Sequence, residues 1–145
     1  MKAVVQVVGQ TSLSVDGIVV SKIEKGLVVF FCVEKDDAEE KLDFFAKKIA
    51  NMRVFPDQNG KTNLSLKDVG GEILLVSQFT LAGDCEHGNR PSFIGAELPE
   101  RANELYLKLA KMLGNYQIPV KLGIFGADMT INQTNLGPFT LILQK

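Results

Sequence analysis

The feature that most constrains the fold is a series of short β-branched and aromatic segments separated by turn residues. KAVVQVV at residues 2–8 alternates in the manner of a strand, and LSVDGIVV places two apolar segments around Asp16-Gly17, which is a strong hairpin signal. LVVFFCV, which follows Lys25-Gly26, is apolar enough to be a buried strand. These segments predict a β-sheet that begins in the first residues of the chain.

Two segments carry the helical period instead. The first is preceded by Asp37 and Glu40 in the spacing of a capping box, and its predicted inner face consists of Leu42, Phe45, Ala46 and Ile49. The second helix is expected to begin at Pro99 and to end at Gly114. Its predicted inner face consists of Ala102, Leu105, Tyr106, Leu109 and Met112.

The remaining segments predict further strands. They are RVF closed by the turn PDQNG, EILLVSQFTL after Gly70-Gly71, IPVKLGIF, ADMTINQT, and a last strand that starts with Gly137-Pro138. Because the chain has no repeat, low-complexity segment or linker, we expect one domain over residues 1–145. The predicted class is α+β: a mostly antiparallel, barrel-like β-sheet with two packed helices.

Charge and apolar content exclude several classes of protein. Sixteen basic and seventeen acidic residues give a net charge of −1, which argues against a broad electrostatic grip on nucleic acid. No apolar run approaches the ~20 residues of a membrane span, and the N-terminus lacks a leader's apolar region. Cys32 lies in an apolar run and Cys85 in a polar one, unlike a disulfide framework. We therefore expect a cytoplasmic protein with no membrane partner.

The usual catalytic residues are almost absent. The single histidine, His87, lies in a polar loop, and a zinc site needs three or four clustered ligands, so we expect no metal and no cofactor. No second histidine is available to activate a serine. Asp84, Glu86 and Asp128 are possible acids or bases, although single loop carboxylates are usually only solvated. On these grounds alone the function stays open.

Two short stretches go further. SQFTL at residues 77–81 runs from a strand into small and hydroxyl side chains, and Asn135 precedes Gly137-Pro138-Phe139-Thr140 by one residue. Together with VGGEILLVSQFTL, GNRPSF and FGADM, these stretches closely resemble the D-aminoacyl-tRNA deacylase family. The resemblance extends along the whole chain, through LVVFFCVEKDD, RVFPD and KTNLSL.

The resemblance implies a homodimeric hydrolase. It would cleave the ester of D-aminoacyl-tRNA, and of glycine mischarged on tRNA, as chiral proofreading in translation. Its partner would be the aminoacylated tRNA 3′ end. Thr80, Gln78 and Phe79 would act through positioning and backbone contacts to the oxyanion, with Ser77, Gln78 and Met129 shaping the pocket. For Phe79, a plain core position remains an alternative.

The resemblance also offers a role for Gly137 and Pro138. In the family this Gly-Pro bond is cis and enters the active site of the dimer partner, where two parallel carbonyl oxygens would hold the α-ammonium group and reject the L-enantiomer. The strand-entry turn is the alternative reading of the pair. The family usually has an arginine where this chain has Val7, and that arginine helps to hold the Gly-Pro segment. The sequence therefore leaves the cis or trans state of the bond open.

Three other functions remain possible at this stage. The first is a nucleic-acid-associated dimer without catalysis. The second is an animal-type deacylase that acts on L-alanine mischarged to threonine tRNA. The third is an RNA-editing module similar to the one appended to archaeal threonyl-tRNA synthetases. SQFTL and the presence of Leu136 before the Gly-Pro pair favour the D-specific branch.

Overall fold

The computed structural model describes residues 1–145 and contains eight strands, two α-helices and one 3₁₀ helix. Neither α-helix is long and apolar enough to span a membrane. The elements in chain order are β1 (Lys2–Val15), β2 (Ile18–Ile23), β3 (Gly26–Cys32), α1 (Lys41–Asn51), β4 (Phe55–Pro56), β5 (Thr62–Leu64), β6 (Glu72–Ser77), the 3₁₀ helix (Phe79–Ala82), α2 (Pro99–Gly114), β7 (Val120–Leu122) and β8 (Thr130–Gln144).

The main sheet has six strands organised around β1. β1 pairs antiparallel with β2, β3 and β8, whereas β3–β6 and β6–β7 are parallel. β4 and β5 form a separate small hairpin. The Ser21 hydroxyl of β2 donates a hydrogen bond of 2.6 Å to the Leu122 carbonyl of β7, so the sheet curls until strands from its two ends meet. The prediction of an α+β fold with a barrel-like sheet and two helices is confirmed.

β3 and β6, the two central strands, are buried on both faces, which explains their continuous apolar sequences. One face of β3 and β6 packs with α1 and α2 in a large core that includes Val29, Leu75, Phe45 and Leu109. The opposite face forms a second, smaller core with Val8, Leu13, Ile23, Val28, Leu74 and Val76. Both helices lie on one side of the sheet, and the start of α2 lies beside the carboxyl ends of β3 and β6.

The predicted capping box before α1 is wrong. The helix begins at Lys41, and Glu40 precedes it without a side-chain cap. Asp37 is only 3% exposed, and its carboxylate accepts hydrogen bonds from the Glu34 N–H at 2.8 Å and from Lys41 Nζ at 2.6 Å, and pairs with the Met1 amine. Asp37 therefore ties the start of β1 to the segment between β3 and α1.

Several predicted strand limits also differ. The strand expected at residues 72–81 ends at Ser77, because Gln78 leaves the extended conformation with ψ at 76° and a 3₁₀ helix follows. Only Val120–Leu122 of IPVKLGIF is a strand, and RVF contributes only its last residue to β4. Gly137 and Pro138 lie inside β8 (Thr130–Gln144), and not at its start.

Neutralising Asp37 is expected to destabilise the protein in a pH-dependent way. Burial disfavours its charged form, but hydrogen bonds from Lys41, the Met1 amine and the Glu34 N–H outweigh burial and hold its pKa below the ordinary value. Asp37→Asn should lower the free energy of unfolding at pH 7 by about 1–3 kcal/mol. The difference should persist above about pH 4 and shrink as pH falls through the depressed folded-state pKa.

Urea unfolding of both proteins at pH 7 and pH 3 measures this effect. Asp36→Asn is the control, because Asp36 is exposed and its φ of 61° suits asparagine equally well. A difference between Asp37→Asn and the native protein that stayed constant from pH 7 to pH 3 would contradict the ionic origin of the stabilisation.

Candidate active site

The site is built where β6 turns into the 3₁₀ helix. The Gln78 N–H still donates to the Phe31 carbonyl at 2.8 Å, which continues the parallel pairing of β3 and β6 by one residue. The chain then bends at Gln78, and Phe79 and Thr80 begin the 3₁₀ helix. Their N–H groups lie in the first turn, where no intrahelical acceptor precedes them.

A cavity of about 540 Å³ opens at this bend, a size typical of small-ligand pockets. Its walls come from the ends of β3 and β6, the first half of α2, and the segment before β8. The lining residues are Phe31, Cys32, Val33, Val76, Ser77, Gln78, Phe79, Thr80, Glu97, Pro99, Ala102, Tyr106, Phe125, Gly126, Ala127, Asp128, Met129 and Ile131. The structure thus brings together five of the seven predicted site residues: Ser77, Gln78, Phe79, Thr80 and Met129.

Phe79 and Thr80 have different surroundings within this cavity. The Phe79 side chain is 58% exposed, so the alternative of a plain core position is wrong. Its ring meets Phe93 edge-on, with centroids 5.2 Å apart and planes at 71°. Thr80 Oγ1 accepts a hydrogen bond from Gln78 Nε2. The Thr80 hydroxyl is therefore oriented by an amide, which cannot remove its proton.

The polar groups of the cavity wall do not form a nucleophile and base pair. The Cys32 thiol is desolvated and lies near Glu34, and together these raise its pKa to about 11, so it is a neutral thiol near pH 7. Burial likewise raises the pKa of Tyr106, whose hydroxyl donates to the Leu75 carbonyl at 2.8 Å. Both groups stay protonated and serve as parts of the wall.

The cavity wall carries two carboxylates, Glu97 and Asp128, and no lysine, arginine or histidine. Glu97 is partly neutralised by Arg101, whose Nε lies 3.3 Å from the Glu97 carboxylate, and it also accepts a hydrogen bond from the Leu98 N–H. A wall of this kind is compatible with neutral or cationic groups and offers no cation to bind a phosphate. A phosphorylated ligand would therefore keep its phosphates outside the cavity.

Gly137 and Pro138 lie outside the cavity of their own chain. Gln6 of β1 pairs with Thr140 of β8, whereas Val8 pairs with Asn135, so residues 136–139 bulge out of the ladder. Gly137 has a φ of 112°, and the peptide bond to Pro138 is cis. Both residues are exposed. We call residues 136–139 the β8 excursion.

The predicted acids of the polar loop lie together but away from the cavity. One ligand atom each from Asp84, Glu86 and His87 falls within 4.8 Å of the other two, and all three residues are exposed. His87 Nδ1 lies 3.9 Å from the Asp84 carboxylate. Of the candidate acids and bases in loops, only Asp128 lines the cavity.

The site contains residues that the sequence did not predict: Glu97, Tyr106 and Phe125 line the cavity, and Phe93 packs against Phe79. Tyr106 lies on the predicted inner face of α2. It is far from SQFTL along the chain, so no local pattern indicates that both line the same cavity. Phe93 and Phe125 belong to the motifs GNRPSF and FGADM, so those motifs were the available signal. Glu97 carried no signal in the sequence.

The chain is similar to known proteins over its whole length. The family model described as D-Tyr-tRNA(Tyr) deacylase matches residues 4–144. A D-aminoacyl-tRNA deacylase of Clostridium novyi (strain NT) is 50% identical over 145 residues, all of this chain and 97% of the relative. The corresponding protein of Thermosipho africanus (strain TCF52B) is 48% identical with the same coverage of both chains.

Solved structures agree on the fold. A structure titled "c-Myc DNA Unwinding Element Binding Protein" superposes with a TM-score of 0.93 at 38% identity, covering all of this chain and 99% of that one. A probable eukaryotic D-amino acid tRNA deacylase superposes with a TM-score of 0.83 at 18% identity, covering 98% and 97% of the two chains, which bears on the fold alone. From the family match and the full-length identity near 50%, this chain belongs to the D-Tyr-tRNA(Tyr) deacylase family.

Proposed function

We propose that this chain hydrolyses the ester bond of D-aminoacyl-tRNA and releases the free D-amino acid and tRNA. The observation that carries the proposal is the full-length match to deacylases at about 50% identity, in a chain whose matched SQFTL stretch forms one wall of a cavity. The neutral to acidic wall suits the uncharged adenosine and the α-ammonium group of the substrate. The phosphates of the tRNA would lie outside.

The chemistry requires little from side chains, because an aminoacyl ester is already activated. Water attacks the ester carbonyl carbon, and the tetrahedral oxyanion is stabilised by the N–H groups of Phe79 and Thr80. Collapse of this intermediate breaks the ester C–O bond and expels the ribose oxygen of the terminal adenosine, which takes up the proton lost by the attacking water and leaves as a hydroxyl. Thr80, oriented by Gln78, positions the water, and the neighbouring ribose 2′-OH assists.

Chiral selection is assigned to the β8 excursion of a second copy of the chain. Gly137 and Pro138 are exposed and do not line the cavity of their own chain, so they are free to enter another protomer. β8 pairs only with β1, which leaves its outer edge open, and it carries the apolar side chains Leu136 and Ile142 at 40% and 74% exposure. A homodimer would cover these groups and complete each site in trans.

The deciding experiment compares three substrates at equal concentration: D-phenylalanyl-tRNA, L-phenylalanyl-tRNA and glycyl-tRNA. We expect rapid release of D-phenylalanine, measurable release of glycine, and L-phenylalanine release no faster than spontaneous hydrolysis. Equal rates for the two enantiomers, or no rate above the enzyme-free reaction for any substrate, would contradict the proposal. L-alanyl-tRNA(Thr) tests the animal-type specificity in the same assay.

Thr80→Ala is expected to keep measurable turnover. The hydrogen-bond partner of the Thr80 hydroxyl is the Gln78 amide, which cannot remove its proton. Loss of the hydroxyl should therefore reduce kcat only about 10- to 100-fold, through poorer positioning of water. The measurement is single-turnover hydrolysis of D-aminoacyl-tRNA together with acid quenching to trap labelled protein. A burst of covalently labelled protein that disappears in Thr80→Ala would establish Thr80 as the nucleophile.

His87→Ala and treatment with EDTA should each leave turnover within a few-fold of the native rate. The reason is that Asp84, Glu86 and His87 are exposed and none of them lines the cavity. The assay is the same D-aminoacyl-tRNA hydrolysis, with Zn²⁺ added back after EDTA. A hundred-fold loss in either condition would assign the chemistry to a metal or to the histidine.

One comparison favours a second candidate function. The 38% identical structure carries a title that describes a binding protein for a DNA unwinding element. A net charge of −1 gives this chain no strong general affinity for DNA. Titration of a labelled DNA duplex at about 50 and 200 mM salt tests the second function directly, since a deacylase without DNA affinity will show no shift in either condition.

A further inference from the structure

The two ends of the β8 excursion are joined by a chain of side-chain hydrogen bonds. Gln133 Nε2 donates to Asn135 Oδ1 and to Gln6 Oε1, each at 2.8 Å. Gln6 Nε2 in turn donates to Thr140 Oγ1 at 3.2 Å. Asn135 precedes the excursion and Thr140 follows it, so two glutamine amides bridge its base. We call Gln6, Gln133, Asn135 and Thr140 the amide bridge.

No other side chain holds the ends of the excursion by a hydrogen bond. The residue of β1 that faces it is Val7, which is 5% exposed and offers only packing. Side-chain hydrogen bonds to residues 134–140 come from Gln6 and Gln133 alone. The position and orientation of Gly137 and Pro138 relative to the sheet therefore depend on the amide bridge and on the pairing of β8 with β1 at each end of the excursion.

Gln133 is held there at a cost to folding. Its Oε1 atom is buried and has no hydrogen-bond partner in the structure. A buried acceptor without a donor is unfavourable, and an apolar side chain of the same size avoids that penalty. A polar side chain that is retained with a buried, unsatisfied acceptor is typical of a functional site.

We propose that Gln133, acting with Gln6, is a positioning residue that sets the Gly137-Pro138 segment for discrimination between D- and L-aminoacyl-tRNA. The inference rests on the proposed function and extends it to residues that touch neither substrate nor cavity. Gln133 donates hydrogen bonds to Gln6 and Asn135, so the positioning depends on its two amide N–H groups.

Two variants separate positioning from simple folding. Gln133→Leu removes the amide and also the orphaned oxygen, whereas Gln133→Glu keeps the shape and loses the donors. We expect kcat/KM on D-phenylalanyl-tRNA and the ratio of D to L rates to fall about ten-fold in both variants. The melting temperature of Gln133→Leu should change little, because the variant loses two hydrogen bonds together with the penalty of the unsatisfied acceptor. Gln58→Leu, in an exposed turn, should leave both rates unchanged.

The partner residue gives a second test. If Gln6 and Gln133 act as one bridge, Gln6→Leu should cause the same loss, and the double variant should lose no more than either single variant. If the fold-losses of the two single variants multiply in the double variant, Gln6 and Gln133 act independently and the proposal of one bridge is wrong. A D to L ratio within two-fold of the native protein in Gln133→Leu would overturn the positioning role.

Hydrogen exchange of residues 134–140 keeps this test independent of the assigned activity. We expect about ten-fold faster exchange in Gln133→Leu and Gln133→Glu, and unchanged exchange in Gln58→Leu. If the native protein has no D-specific activity, the proposed function and the selectivity role both fail, and exchange alone decides whether the bridge anchors the excursion. Unchanged exchange in both Gln133 variants would overturn the anchoring as well.

Discussion

Gly137→Ala is expected to lower kcat/KM on D-aminoacyl-tRNA about 30-fold while the protein stays folded. Gly137 has a φ of 112°, and a Cβ there would lie 2.8 Å from the Phe139 nitrogen, so the β8 excursion must move. Strain of about 2 kcal/mol at the tip would displace the Gly137 carbonyl from the position in which we propose that it contacts the substrate of the partner subunit, which corresponds to the 30-fold loss. Because the residue is exposed, the core is not disturbed.

The control is Gly60→Ala, since Gly60 also has a positive φ, 74°, but no heavy atom within 4 Å of its added Cβ. Gly60→Ala should cause a similar backbone strain without affecting turnover.

Subunit mixing tests whether Gly137 of one protomer completes the site of its partner. Gly137→Ala mixed with Gln78→Ala/Phe79→Ala should recover up to about a quarter of native activity, because half of the dimers are mixed and each has one complete site. Failure to recover activity, with mixed dimers present, would place both elements in one chain.

Gly26→Ala is expected to prevent stable folding. Gly26 begins β3 and pairs with Glu72 at the start of β6. A Cβ at Gly26 would lie 1.8 Å from the Glu72 carbonyl oxygen and 2.7 Å from the Glu72 nitrogen. Only separation of the two central strands relieves such a contact, and we expect a loss of more than about 3 kcal/mol in the free energy of unfolding.

The measurement is soluble yield and urea unfolding, with Gly114→Ala as the matched control. Gly114 ends α2, and an added Cβ there meets nothing within 4 Å, so alanine should be neutral or slightly stabilising. Native-like stability of Gly26→Ala would mean that β3 and β6 are not held as closely as the structure has them.

Much of the fold follows from local sequence patterns. The hairpin at Asp16-Gly17 is confirmed because both residues take the positive φ that this turn requires, 50° and 78°. α2 begins at Pro99 and ends at Gly114 as predicted, since proline suits the first helical turn and the apolar period ends there. The family resemblance, and not a local pattern, assigned Ser77, Gln78, Phe79 and Thr80 to the site. They line one cavity together because they are contiguous at the carboxyl end of β6.

Tertiary structure decided the features in which distant residues meet. Asp37 was predicted to cap α1, but its carboxylate pairs with the Met1 amine and accepts a hydrogen bond from the Glu34 N–H. A buried carboxylate needs a positive charge and hydrogen-bond donors close to it, and the fold brings these two groups there. Gly137 and Pro138 sit inside β8 because pairing with β1 resumes on both sides of them, which no local propensity indicates. The amide bridge of Gln6 and Gln133 joins residues 127 positions apart, and only the register of β1 against β8 brings them together.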